Sequence, residues 1–193
     1  MTEGDDAAGD TELAGRLLVA TPLLNDPNFA RTVVFLADQN DEGALGVVLN
    51  RPSETPVTDV LPLWQPVATT PATVFVGGPV APDGALGLAR LGAEGRPDDG
   101  FQPLVDGFGA VDLDGDPAML APYFAGLRIF AGYAGWGPGQ LENEIAEGAW
   151  YVVDAAPDDI FSPRPELLWP HVLRRQGGDL ALVATFPLDP TLN

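Results

Sequence analysis

Between Arg128 and Ile145 the chain passes from an apolar strand into an amphipathic helix through Gly132, Gly135, Gly137, Pro138 and Gly139, with Tyr133 and Trp136 set among them. Glycine is needed where the backbone takes positive φ, or where another group must come close to it. Concentrating so many permissive residues at one strand-to-helix corner points to a shaped surface rather than a simple turn. The corner holds no lysine, cysteine, histidine or serine, so it marks a candidate site without assigning it a reaction.

The runs on either side constrain the fold. Leu17–Ala20, Thr32–Asp38, Ala44–Asn50, Thr73–Val76, Leu86–Leu91, Leu127–Tyr133 and Ala149–Val153 are short, β-rich and apolar. The second and third are joined by the polar loop Gln39–Gly43, the pattern of an antiparallel hairpin. Both faces of these two runs are apolar, so they are expected to be covered on both sides. Leu104–Val111 reads as an irregular strand or strand pair. Helices are expected at Val57–Trp64, at Ala118–Phe124 behind an Asp116 cap and Pro117, and at Gln140–Glu147, which Gly148 ends. A proline-interrupted helical stretch covers Ser162–Gln176 and stops at Gly177. Strands outnumber helices and often share short loops, which predicts an α+β fold: a mainly antiparallel, barrel-like β-sheet with a few flanking helices. Residues 1–12, with five carboxylates (Glu3, Asp5, Asp6, Asp10, Glu12) among small residues, are expected to be a disordered acidic tail. Residues 13–193 are expected to form one domain.

Charge excludes several functions. The chain of 193 residues has a net charge of −19, and all nine basic residues are arginines. Nucleic-acid backbones and anionic membranes need clustered basic side chains, so neither is an expected partner. With zero cysteines the chain has no disulfide, no thiolate chemistry and no cysteine-ligated metal. The N-terminus lacks the basic and apolar segments of a secretory signal, and no run of about 18 apolar residues is present. A cytoplasmic location is expected.

Several motifs occur together in order: Gly15-Arg-Leu-Leu-Val-Ala, Asp26-Pro-Asn-Phe-Ala-Arg-Thr-Val-Val, Gly43-Ala-Leu-Gly-Val-Val-Leu-Asn-Arg-Pro52, Gly77-Gly-Pro-Val, and Gly132-Tyr-Ala-Gly-Trp followed by Gly139-Gln-Leu-Glu-Asn-Glu and Trp150. From Gly15 to Gly177 the chain resembles the bacterial YqgE/AlgH family. The resemblance implies an α+β domain with a barrel-like core and brings no established activity, although some members carry the label of transcriptional regulator. In the family a histidine often precedes the Gly-Ala-x-Gly motif. Gln39 stands there in this chain, so no role for that histidine carries over.

Individual residues support binding better than catalysis. His171 is the only histidine, and the two serines, Ser53 and Ser162, lie outside any nucleophile elbow. If Gly139 caps the helix, Glu142 falls at its third position and can reach back to the cap N–H; Glu144 and Glu147 share a face. The Gly135–Gly139 loop opens a helix whose free N–H groups suit an anion, but it matches neither the dinucleotide fingerprint nor the P-loop, whose lysine this chain lacks. Arg31 and Arg51 can fork a carboxylate or phosphate, or pair internally with the many acids. The candidate recognition surface therefore joins the Gly132–Gly139 corner to the Asn50-Arg51-Pro52 and Gly77-Gly78-Pro79 loops. Its ligand-binding candidates are Arg31, Asn50, Arg51, Gly77, Gly78, Tyr133, Trp136, Gln140, Glu142 and Glu144. The expected function is a binding or regulatory module for a small anionic ligand or a protein partner, with no cofactor and no metal. The alternative is a carboxylate enzyme using Glu142, Glu144 and Asp26, with or without a divalent metal. Transcriptional regulation, if any, is expected to be indirect.

Overall fold

Alternation of buried side chains along the strands builds the core on both faces of one sheet. The computed structural model describes residues 12–187; the acidic segment up to Thr11, and the last residues from Leu188, lie outside them. Strands β1 (Arg16–Ala20), β2 (Val33–Asn40) and β3 (Gly43–Val48) pair antiparallel. The β2–β3 hairpin turns on Asp41-Glu42 alone, a tighter loop than the sequence indicates. Next come β4 (Pro52–Pro56), helix α1 (Val57–Val60), β5 (Thr73–Val76), β6 (Val80–Leu91), β7 (Phe101–Pro103) and β8 (Phe108–Val111). After these follow α2 (Pro117–Leu120), β9 (Phe124–Trp136), α3 (Gln140–Ala146), β10 (Trp150–Asp154), α4 (Leu168–Gln176) and α5 (Gly178–Val183).

The sheet order is β10-β1-β2-β3-β9-β6-β8-β7, with β4 paired to β5 and β5 running parallel to β9. It curls into a half-barrel, an α+β fold that is mostly antiparallel. On one face Leu17, Val19, Val33, Phe35, Val47, Phe75 and Phe130 pack against Leu168, Trp169, Val172 and Leu173 of α4. On the other face of the same strands Leu18, Val34, Leu36 and Val48 pack with Trp136, Trp150 and Leu141 of α3. A third cluster, with Val57, Trp64, Leu127 and Ile129, lies under α1 and α2. Coverage on both faces explains why these strands are apolar throughout rather than alternating.

Local signals hold at several element ends. The Asp116 carboxylate accepts from Ala118 N–H at 2.9 Å with Pro117 at the first helical position. Gly148 follows α3 with φ of 80°. Of Leu104–Val111 only Phe108–Val111 is a strand, β8; residues 104–107 form the turn, and the partner strand β7 lies before the expected stretch, at Phe101–Pro103. Three elements escape the sequence reading, the three-residue β7 among them. Strand β4 is short and mostly exposed, and α5 begins on two glycines, so neither has the apolar period that reveals an element.

Candidate functional site

Strand β9 continues through the glycine corner to Trp136, so the corner is a break within a strand, with the helix entered later through Gly137-Pro138-Gly139. Gly132 is that break, at φ of 71°. Before it, Arg128 and Phe130 point to the α4 face; after it, Tyr133 takes that face while Ala134 and Trp136 point to the α3 face. One left-handed residue thus shifts the pleat by one position, as a bulge does. The same residue marks a change of neighbour. Upstream, β9 pairs with β5 through Phe75–Phe130 and Val76–Ala131; downstream it pairs with β3 through Gly46–Ala134, Leu45–Gly135 and Ala44–Trp136. On the β6 side, Val80 pairs with Tyr133 and Ala85 with Ala131, so residues 81–84 bow outward past Gly132.

Gly77 and Gly78 end β5 against this break. A Cβ on Gly77 would lie 2.3 Å from the Gly132 carbonyl oxygen, one on Gly78 2.2 Å from that of Tyr133, and one on Gly132 2.5 Å from that of Gly78. The structure therefore brings Gly77, Gly78, Gly132 and Tyr133 together, with backbone meeting backbone where side chains would sit.

The outer end of the corner forms a second group. The rings of Phe29, Trp136 and Trp150 cluster with centroids 5.6–6.1 Å apart. Glu144 Oε2 accepts from both indoles, at 3.0 Å from Trp136 Nε1 and 2.9 Å from Trp150 Nε1, while Gln140 Nε2 donates to its Oε1 at 3.0 Å. Gln140 Oε1 accepts from Gly137 N–H at 3.1 Å. Gly139 is the N-cap, as its spacing indicates, but Glu142 makes no return bond to the cap. It accepts from Gln39 Nε2 at 2.8 Å instead, and Gln39 Oε1 accepts from Leu13 N–H. Gln39, the position singled out by the family resemblance, lies at the end of β2 and thus ties the segment before β1 to α3.

Among the described residues, neither Arg31 nor Arg51 pairs with an acid. Arg51 donates to the carbonyls of Asn28 (2.8 Å) and Ala30 (3.1 Å) and so shapes the turn that carries Phe29. Burial lowers its pKa, and the nearby Asp26 charge works in the opposite direction. Asp26 itself accepts from Asn28 N–H at 2.8 Å as a turn cap. Arg31, left-handed at φ of 59°, donates to the carbonyls of Phe186 and Pro187 and stacks 4.3 Å over the Trp169 ring. Asn50 brackets that conformation: its Nδ2 donates to the Arg31 carbonyl at 2.8 Å and its Oδ1 accepts from Val33 N–H at 2.9 Å. These three motif residues are engaged with backbone, and their side chains do not converge with the Gly77–Gly132 group. Asp26, Glu142 and Glu144 are likewise held apart by different partners, and no group of three metal-ligating side chains exists among the described residues.

Arg128 is a functional candidate that the motif reading overlooks. It is buried to 1% exposure, stacks 4.2 Å over Phe75, and donates to the carbonyls of Ile160, Ser162 and Thr70 at 3.0–3.3 Å. Its Nε has no partner, and burial pushes its pKa down to about 10, so it stays charged at neutral pH. The sequence signal was an arginine within an apolar strand, a position that demands a partner.

Open space occurs on the inner side of the corner. A cavity of about 450 Å³ lies between the β2–β3 hairpin, the bowed part of β6 and the β7–β8 hairpin. Leu45, Val47, Leu86 and Leu104 give it apolar walls; Tyr133, Asp38 and Gln102 supply its polar groups. Of the residues singled out as ligand-binding candidates it includes Tyr133, with Gly132 of the corner beside it. Its other lining residues come from separate strands and share no local motif.

The AlgH-like family profile matches residues 17–181. The chain belongs to the AlgH-like family. It is 58% identical over 186 residues to a UPF0301 protein of Streptomyces coelicolor, covering 95% of this chain and 96% of that one. A UPF0301 protein of Thermobifida fusca is 53% identical over 195 residues, covering 94% and 96%. Among solved structures, a Corynebacterium diphtheriae protein superposes with a TM-score of 0.84 at 33% identity, covering 96% of this chain and 95% of that one. The solution structure of AlgH from Pseudomonas aeruginosa superposes at 0.69 and 31% identity, covering 98% and 100%. These AlgH-like relatives bring the fold without a reaction. No helix among the described residues is long and apolar enough to cross a membrane.

Proposed function

We propose that this AlgH-like chain is a binding module whose ligand sits in the half-barrel cavity beside Gly132 and Tyr133. The observation that supports the reading is the cavity itself: about 450 Å³, apolar walls and three polar groups, the size and lining common for small-molecule sites. The chemistry favours a mainly apolar ligand with a neutral or cationic hydrogen-bonding end. Asp38 lies in the lining, while Arg31 and Arg51 spend their donors on backbone carbonyls. An anion at this place would meet a carboxylate and no free guanidinium. A regulatory role would then act through a protein, because the net charge of −19 repels nucleic-acid phosphates.

The test is native mass spectrometry of the protein purified gently from its own cells, beside an Ala110→Phe variant that places a ring in the cavity. The expected result is a retained apolar small molecule that the variant loses while keeping its melting temperature. A retained mass that Ala110→Phe leaves in place, or no retained mass together with no saturable binding from an apolar fragment set, overturns the reading.

A further inference from the structure

A second pocket, of about 510 Å³, lies between α4 and the loop 156–164. In a chain of net charge −19 it collects three of the nine arginines, Arg164, Arg174 and Arg175, together with the only histidine, His171. The cations come from two directions. His171, Arg174 and Arg175 stand three and four residues apart on the exposed face of α4, whose other face is filled by Leu168, Trp169, Val172 and Leu173. Arg164 comes from the opposing loop.

The acids in the lining offset only part of this charge. Asp159 is 3% exposed and already taken: Arg175 grips both its oxygens at 2.8 Å, and Ala156 N–H donates to it at 2.7 Å. Asp158 is exposed at the edge. Arg164 and Arg174 have no carboxylate within 4.0 Å among the described residues. Behind the wall, the buried Arg128 guanidinium holds the carbonyls of Ile160 and Ser162, again without an acid. Last-turn arginines do stabilise a helix C-terminus, which accounts for Arg174 and Arg175. It does not account for Arg164, nor for a buried, uncompensated cation placed behind the same loop.

We infer that this pocket binds a small phosphate monoester, with Arg164 and Arg174 on the phosphate oxygens and the organic body against Pro163 and Leu167. Two free guanidiniums facing one space match a dianion with several acceptor oxygens. Leu167 is 48% exposed on the same wall, and the volume exceeds what a bare ion needs. The Arg175–Asp159 pair keeps the loop against α4 and so fixes the spacing between the two free arginines. The site is separate from the half-barrel cavity and stands or falls independently of it.

Because His171 is the sole histidine, its ring resonances report on this pocket without ambiguity. The experiment titrates phenyl phosphate, inorganic phosphate, phenol and sodium chloride into the full chain at constant ionic strength and pH, following those resonances by NMR. The expected result is a saturable shift with phenyl phosphate, weaker binding of inorganic phosphate, and no saturation with phenol or chloride. Arg164→Gln and Arg174→Gln are each expected to weaken phenyl phosphate about tenfold, the loss of one charge-assisted contact. Arg90→Gln, outside the pocket, is expected to leave it unchanged. A shift that follows ionic strength alone overturns the inference. So does equal affinity for phosphate and its phenyl ester, or undiminished binding by a folded Arg164→Gln/Arg174→Gln double variant.

Discussion

Glu144 and Trp136 are joined across the glycine corner by a 3.0 Å hydrogen bond, and the same carboxylate oxygen accepts from Trp150 at 2.9 Å. Two buried indoles on different strands therefore share one acceptor carried by α3. Removing the acceptor leaves both N–H groups unpaired, each at a cost of about 1–3 kcal/mol. Glu144→Ala is expected to destabilise the protein by about 2–6 kcal/mol in urea unfolding. Glu144→Gln retains an oxygen at the shared position and is expected to cost about 1 kcal/mol. Equal losses in the two variants would show that the shared acceptor is not what stabilises the corner.

Gly132 and Gly139 separate two roles of glycine at the same φ. Both have φ of 71°. A Cβ on Gly139 meets nothing within 4 Å, whereas one on Gly132 lies 2.5 Å from the Gly78 carbonyl oxygen. Gly139→Ala carries only the left-handed penalty and is expected to cost about 1 kcal/mol. Gly132→Ala must also push β5 away from β9, so a loss above about 3 kcal/mol is expected. Thermal and denaturant unfolding of the two variants side by side checks the contrast, and similar costs would refute it.

Arg128 gives a pH dependence of definite sign. Burial lowers its pKa from the ordinary arginine range to about 10, so as the pH rises through that lowered value the unfolded chain holds more protons than the folded one. Stability from this group therefore rises with pH there and is flat below about pH 9. Compared with Arg128→Met, the wild type is expected to gain stability between pH 8 and pH 10.5. Urea unfolding of both proteins at the two pH values reads the difference. A gap that stays constant or moves against the wild type would contradict the assignment.

The same residues show which properties were legible in the chain. Leu17–Ala20 and Val33–Ala37 announce covered strands because apolar residues on both faces are a local pattern. Asp116-Pro117 and Gly148 announce helix ends because caps act within one turn. Family membership was legible for a similar reason, since its motifs are contiguous. Within the candidate site, the closeness of Gly77 and Gly78 to Gly132 and Tyr133 depends on strand neighbours distant in sequence, and no local signal carries it. Nor did the residue types say where Arg31 and Arg51 would spend their donors. A guanidinium suits a ligand and a backbone carbonyl alike, and the chain path decides which is in reach.

By itself, the sequence determined most of the secondary elements, the exclusion of cysteine and lysine chemistry, and the acidic field, all of which follow from residue type and short-range spacing. Only the tertiary structure decided that Gly132 switches β9 between two partners, that Glu144 is an indole acceptor, and that Tyr133 lines the half-barrel cavity while Arg164 and Arg174 face a second pocket. Each of those depends on side chains brought together by sheet pairing. That pairing is set by burial summed over the whole chain rather than by any segment of it.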